Sequence, residues 1–295
     1  MISFASFVWG EKVKAVRFAV LTAALFGFSV CLAQSNNYVN QCKKRYIAGY
    51  NVSWCIESVA GSTSQDIVYF FHGIGGSEQS WQTLPVHQVR PLLKTNPTVI
   101  NVSFGQEWFL SDVGFVRLSR LEAFTKEIQP VIESYLPFEV KRRVAMGESM
   151  GGYNALRLAN RELNQFDHLV ALCPAIIAYN VYWSGQKKSD YLEKHPYMDG
   201  NILWKLTPFA VWEFPSPKIW NQNNPLYMIQ TDGLPLPPTL LTSNAEDQYG
   251  FDDGIHQFTK MLEEQQAGTQ LVDEAGTHCV HRPALYQQIA DFIQL

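Results

Sequence analysis

Apolar runs closed by glycine divide the chain into pieces that alternate between strand-like and helix-like patterns. The first compact run, Ile67-Val68-Tyr69-Phe70-Phe71, is apolar at every position and stops abruptly at His72-Gly73-Ile74-Gly75-Gly76. A run without polar alternates reads as a strand covered on both faces, and the glycines mark a sharp loop at its C-terminal end. Thr98–Ser103, Val140–Met146, His168–Cys173, Thr239–Ser243 and Gln270–Asp273 read as further strands. Helical patterns cover Gln79–Lys94, Arg117–Leu136, Tyr153–Arg161, Gly254–Gln266 and Pro283–Ile293. Such alternation predicts βαβ units, hence an α/β fold with a mostly parallel central sheet and helices on both faces. Ahead of it, Arg45–Ala48 and Val52–Val59 read as two antiparallel strands around Gly49-Tyr50-Asn51.

Two segments depart from this alternation. Between residues 174 and 238 stand nine of the 15 prolines and four of the eight tryptophans, Trp183, Trp204, Trp212 and Trp220. Long irregular stretches inside a compact domain tend to be lids or binding loops, so this one is expected to be a cap inserted over the C-terminal edge of the sheet. At the N-terminus, Glu11, Lys12, Lys14 and Arg17 precede an uncharged run from Phe18 to Val30 and then Cys31-Leu32-Ala33. This pattern reads as a secretory signal peptide cleaved near Ala33, and the run is too short for a stable membrane span. The expected organisation is therefore an export segment over 1–33 and a catalytic domain over 34–295.

Composition narrows the function. With 46% hydrophobic residues, 17% charged and a formal charge of -4, the chain is neither a disordered tail nor a basic nucleic-acid binder. Removing residues 1–33, which hold three cations and one anion, takes that charge to -6. Four cysteines then remain, Cys42, Cys55, Cys173 and Cys279. An even number in an exported chain permits disulfides, and Cys42 with Cys55 is the favoured pair because the two flank the hairpin turn. The other two pairings, and free thiols, stay open.

The strongest chemical signal is Gly147-Glu148-Ser149-Met150-Gly151 at a strand-to-helix junction. Glycines two before and two after a serine let the backbone turn sharply and lift the hydroxyl clear of the sheet. A serine hydroxyl needs a base to become a nucleophile, and the base needs an orienting carboxylate. His278, in a small-residue loop between the last strand and the last helix, is the first choice of base, ahead of His281; His256 lies within a helical pattern. Asp247, just past the strand Thr239–Ser243, is the expected carboxylate, because Asp252 and Asp253 suit the first turn of the following helix. The negative oxygen of a tetrahedral intermediate needs backbone N–H donors. Met150 and Ile74 are the expected pair, with Gly73 or Gly75 next, and His72 is expected to bond to loop backbone. Trp108, Trp183 and Trp212 are expected to line an apolar substrate cleft. His278-Cys279 with His281 lacks a second cluster at zinc-like spacing, and no phosphate-binding loop is present, so neither a metal nor another cofactor is implied.

These residues resemble the esterase group of the α/β-hydrolases, which includes esterase D (S-formylglutathione hydrolase), feruloyl esterases and mycolyltransferases. The resemblance rests on Phe71-His72-Gly73-x-Gly75-Gly76-Ser77-Glu78, on Gly147-Glu148-Ser149-Met150-Gly151-Gly152-Tyr153 and on Gly276-Thr277-His278. It implies the α/β-hydrolase fold, a Ser149–Asp247–His278 triad and a small-molecule ester substrate. Where esterase D enzymes have Gly-Gly-His-Asp this chain has Gly276-Thr277-His278-Cys279, so a general carboxylesterase is the expectation. An acyltransferase of the same fold, or a non-catalytic binding module, is the alternative.

Overall fold

The computed structural model describes residues 38–105, 109–113, 118–160, 166–231, 233–265 and 268–294. The expected export segment and Trp108 lie outside the described residues. Eight strands form one mixed sheet: β1 (Tyr38–Ile47), β2 (Tyr50–Val59), β3 (Asp66–Phe71), β4 (Thr98–Ser103), β5 (Arg142–Glu148), β6 (His168–Leu172), β7 (Thr239–Asn244) and β8 (Thr269–Glu274). Their order is β1-β2-β4-β3-β5-β6-β7-β8. The hairpin β1–β2 is antiparallel and joins β4 in the antiparallel sense, and the remaining strands run parallel.

The unalternating strands are apolar throughout because both faces of the sheet are covered. Ile67, Tyr69 and Phe71 of β3 join one buried cluster while Val68 and Phe70 join another. β6 divides in the same way, Leu169 and Ala171 against Val170 and Leu172. One cluster is closed by helices α2 (Arg120–Ala123), α3 (Gln129–Glu133), α4 (Met150–Ala159) and α9 (Phe251–Gln265); the other by α10 (Pro283–Ile293) and the short turns around α1 (Ser80–Thr83).

Two expected helices differ in detail, both for reasons of proline. Over Gln79–Lys94 only α1 is α-helical, and Pro85–Leu92 continues as a 3-10 helix with Pro91 inside it. Over Arg117–Leu136 the described helical path is broken by a π-helical turn, Phe124–Ile128, where the Gln129 N–H reaches back to the Phe124 carbonyl. Pro130 follows directly and has no N–H to continue the ordinary ladder.

Among the described residues of 174–238, much of the chain is helical rather than irregular. They contain α5 (Gly185–Lys194), α6 (Gly200–Glu213), α7 (Pro217–Asn223) and α8 (Pro225–Thr231). Pro217 and Pro225 each open a helix, where a missing N–H costs nothing, and the side chains of Ser184, Asp199 and Ser216 cap α5, α6 and α7. Two of the nine prolines that suggested loop, Pro217 and Pro225, are thus helix starts, and a third, Pro208, lies inside α6. A buried ion pair between Arg120 of α2 and Glu213 of α6 holds the longest of these helices against the main body. Among the described residues no helix is long and apolar enough to cross a membrane.

Both cysteine pairs are joined, Cys42 to Cys55 and Cys173 to Cys279. Cys42 and Cys55 face each other directly in the β1–β2 register. The second bond links the end of β6 to the loop before α10.

Candidate active site

β5 ends at Glu148 and α4 begins at Met150, so Ser149 alone makes the turn between them. Its backbone has φ +58° and ψ -118°, a region that L-residues avoid. The turn persists because its surroundings leave no alternative. A Cβ added at Gly147 would lie 2.1 Å from the Gly151 carbonyl oxygen, and one at Gly151 would lie 1.9 Å from that of Phe71. The Ser149 N–H donates to the Leu172 carbonyl at 2.9 Å, and the Ser149 carbonyl accepts from Ala175 at 3.0 Å.

The structure brings Ser149, Asp247 and His278 together. His278 Nε2 stands 2.8 Å from the Ser149 Oγ, and His278 Nδ1 stands 2.6 Å from the Asp247 Oδ2. A carboxylate only accepts, so the ring proton sits on Nδ1 and Nε2 is left to accept from the serine hydroxyl. Asp247 is 1% exposed, and its second oxygen accepts from the Tyr249 N–H at 2.8 Å. Tyr249 and Phe251 pack their edges against the imidazole, with ring centres 4.7 and 5.3 Å away.

The base loop is held from several sides. Gln248 accepts the His278 N–H at 3.0 Å, and buried Asn244 at the end of β7 bonds both the Cys279 N–H and the Val280 carbonyl. Glu274 receives three bonds from Arg282, including its backbone N–H. The Cys173–Cys279 disulfide adds a covalent tether one residue from the base. Asn244, Gln248 and Glu274 were not legible as site residues; Asn244 and Glu274 fall at the ends of strands, and that position is their only sequence signal.

The other titratable candidates are placed elsewhere. Asp253 accepts from the Tyr191 hydroxyl at 2.8 Å and from Gln257, and Asp252 stands in the first turn of α9. His256 is exposed beside Asp273. His281 lies behind the base, its Nε2 4.0 Å from the Cys173 sulfur, and burial pushes its pKa down to about 4. Cys173, His278 and Cys279 form a tight group, but the sulfurs are bonded to each other and both nitrogens of His278 are engaged within hydrogen-bonding distance.

Gly73, Ile74 and Met150 all line the cavity above Ser149. The loop passes so close that a Cβ on Gly73 would lie 3.2 Å from that of the serine. The Gly73 carbonyl accepts from the Gly76 N–H at 3.1 Å and from the His72 ring at 2.7 Å, while His72 Nε2 faces the Ser103 hydroxyl at 2.8 Å. Burial lowers the His72 pKa, which keeps the ring neutral and able to play both parts. In a trans peptide the carbonyl and the following N–H point in opposite directions. Anchoring the Gly73 carbonyl in the loop therefore turns the Ile74 N–H the other way.

The cavity encloses about 400 Å³. One wall is aromatic: Phe109, Tyr153, Phe209, Phe214 and Trp220 all line it. Phe109 meets Tyr153 edge-on at 5.0 Å and Phe214 at 5.9 Å, and Phe214 meets Trp220 at 5.7 Å. Two of the expected cleft tryptophans are placed differently. Trp183 packs against Tyr191, and Trp212 is 60% exposed; neither lines the cavity. The face of α6 that does so carries Leu206, Phe209 and Ala210, a helical spacing that becomes readable once Pro217 is recognised as the start of the next helix. Glu148, beside the nucleophile, also lines the cavity, and burial pushes its pKa up to about 7.

Residues 117–203 match the family model described as "Putative esterase". A search of curated proteins finds no match. Among solved structures, carboxyl esterase 2 of the mycorrhizal fungus Tuber melanosporum superposes with a TM-score of 0.64 at 15% identity, over 88% of this chain and 87% of that one. The hyperthermophilic esterase of the archaeon Pyrobaculum calidifontis gives 0.62 at 15% identity over 87% and 83%. The S-formylglutathione hydrolase of Staphylococcus aureus gives 0.57 at 14% identity over 87% and 98%. The protein thus has the α/β-hydrolase fold, with a segment that matches the esterase family.

Proposed function

We propose that the protein is a serine carboxylesterase. The observation behind this reading is the hydrogen-bonded series Asp247–His278–Ser149, with the serine on a strained turn beneath a largely apolar cavity. As the Ser149 Oγ attacks an ester carbonyl, His278 Nε2 takes its proton, and buried Asp247 stabilises the imidazolium and holds its orientation. The N–H groups of Ile74 and Met150 receive the developing oxyanion; the Met150 N–H is free for this because the first residue of a helix has no intrahelical acceptor. His278 then returns the proton to the departing alcohol. Water, activated by the same base, releases the acid from the acyl-enzyme.

The sheet order gives the substrate a direction. His278 follows β8 and Phe109 follows β4, on opposite sides of Ser149 at the end of β5. The alcohol leaves on the side of the base, and the aromatic wall of Phe109, Tyr153, Phe214 and Trp220 receives the acyl or aryl part. Export is part of the proposal: all four cysteines after residue 33 are paired, as suits an oxidising compartment.

Hydrolysis of p-nitrophenyl esters of graded chain length, with Ser149→Ala alongside, tests this reading. Turnover by the wild type and none by the variant is the expected result; equal turnover by both removes the triad from the chemistry.

A further inference from the structure

Nine large hydrophobic side chains stand exposed among the described residues. Val39, Tyr46 and Tyr135 belong with the edge hairpin, where Tyr135 packs against Trp54 of β2. Of the other six, Ile74 lines the catalytic cavity, and Trp204 and Trp212 stand on α6, a helix that also lines it. Ile74 (49% exposed) comes from the loop over Ser149 and Val280 (52%) from the base loop; Tyr197, Trp204, Trp212 and Tyr227 come from residues 174–238. Exposed aromatic side chains on a helix that walls a substrate cavity point to a binding face.

Helix α6 connects that face to the cavity. Leu206, Phe209 and Ala210 line the cavity from one side of it. Trp204, Pro208 and Trp212 recur every fourth residue along the opposite side, and all three are exposed. Trp204 and Trp212 are 56% and 60% exposed, and the Lys188 ammonium lies 5.4 Å from the Trp204 ring centre. Trp204 and Trp212 thus leave apolar surface exposed on a helix whose other side walls the substrate space.

We propose that the outer face of α6 docks on a lipid–water interface, so that the enzyme takes apolar esters from an aggregated surface. The composition favours that occupant. Indole and phenol rings have an apolar body and a polar edge, which suits a boundary between hydrocarbon and water, and exposed Lys205 stands next to Trp204 in the sequence. The position favours it too, because the same helix turns its other side to the aromatic substrate cavity. This inference rests on the esterase reading for its substrate but not for its binding.

Oxidative footprinting of the full chain, read by mass spectrometry with and without phosphatidylcholine vesicles, tests it. Vesicles are expected to protect Trp204 and Trp212 at least fivefold while Tyr46, 72% exposed on the hairpin, stays open. In a second arm, the wild type's rate on tributyrin is expected to climb steeply above that ester's solubility limit. The W204S/W212S double variant should lose that climb and keep kcat/KM on soluble p-nitrophenyl acetate within twofold. Protection of neither tryptophan, or equal protection of Tyr46, overturns the proposal. So does protection that needs no vesicles and grows with protein concentration, which assigns the face to a second copy of the chain. The footprint requires no catalysis, so a protein that hydrolyses no ester at all fails the esterase reading while the vesicle result stands by itself.

Discussion

Ser149, Asp247 and His278 stand at or just past the ends of β5, β7 and β8, whereas Leu206, Phe209, Phe214 and Trp220 reach the same cavity from a chain of helices. On the strand side, short loops are fixed by glycines that admit no side chain and by buried polar groups with assigned partners, such as Asn244 and Asp247. On the helix side, the wall is apolar and aromatic, and its hold on the body includes the buried pair Arg120–Glu213. On the proposed esterase reading, the difference implies distinct duties: the strand ends set whether the reaction occurs, and the helices set what enters. Small errors of position are costly at the first and tolerable at the second.

Changes on the strand side should abolish turnover without altering selectivity. Asp247→Asn removes the acceptor that fixes the His278 tautomer, and kcat is expected to fall about 10⁴-fold with the order of preference among ester chain lengths unchanged. Steady-state kinetics across a chain-length series measures both. A fall of less than tenfold would place the orienting carboxylate elsewhere, with Asp252→Asn the next variant to assay.

The two disulfides separate the regions by their neighbourhoods. Cys173–Cys279 tethers the base loop, so reducing it, or making Cys173→Ser with Cys279→Ser, is expected to lower kcat about tenfold while KM changes little. Cys42–Cys55 closes a short loop at the far edge of the sheet, with sequence separation 13. Its removal should cost about 3 kcal/mol of stability and leave kcat unchanged. Kinetics and thermal melts of both double variants read this; equal effects on kcat would deny the second disulfide any special part in placing His278.

On the helix side, Leu206→Trp fills part of the cavity from α6. The kcat/KM for an octanoate ester is expected to fall about tenfold relative to acetate, with the acetate value nearly constant. Parallel losses on both esters would show that the helical wall also sets the chemistry.

The smallest effect concerns Glu148. Burial pushes its pKa up to about 7 from an ordinary 4.5. Between those values the folded protein holds a proton that the unfolded chain releases, so stability falls as pH rises through that window and the full loss is present above pH 7. Glu148→Gln has no such loss. Its melting temperature relative to wild type should therefore be a few degrees higher at pH 8 than at pH 5, and a difference that does not change with pH would contradict the burial argument.

The two regions were also unequally legible. Ile67–Phe71 and Gly147–Gly151 reveal strand and turn because local sterics dictate them: an apolar run covered on both faces and a turn that only glycine neighbours allow. His278 and Asp247 could be singled out from the elements around them. The partners that hold them, Gln248 and Asn244, depend on contacts between distant segments that no local pattern shows. In residues 174–238 proline was read as a sign of loop, although Pro217 and Pro225 begin helices. That misplaced the cleft: Trp212, on the outer side of α6, was assigned to the lining in place of Phe209 and Trp220. Tryptophan content marks a special region, but only the helical phase says which side of it faces substrate.

The identity of the nucleophile can be read directly by covalent labelling. Incubation with a fluorophosphonate probe, followed by peptide mapping, should place one adduct on Ser149, with none on the Ser149→Ala protein and slower labelling of Asp247→Asn. An adduct on any other residue, or undiminished labelling of Ser149→Ala, would contradict the assignment of Ser149 as the attacking group.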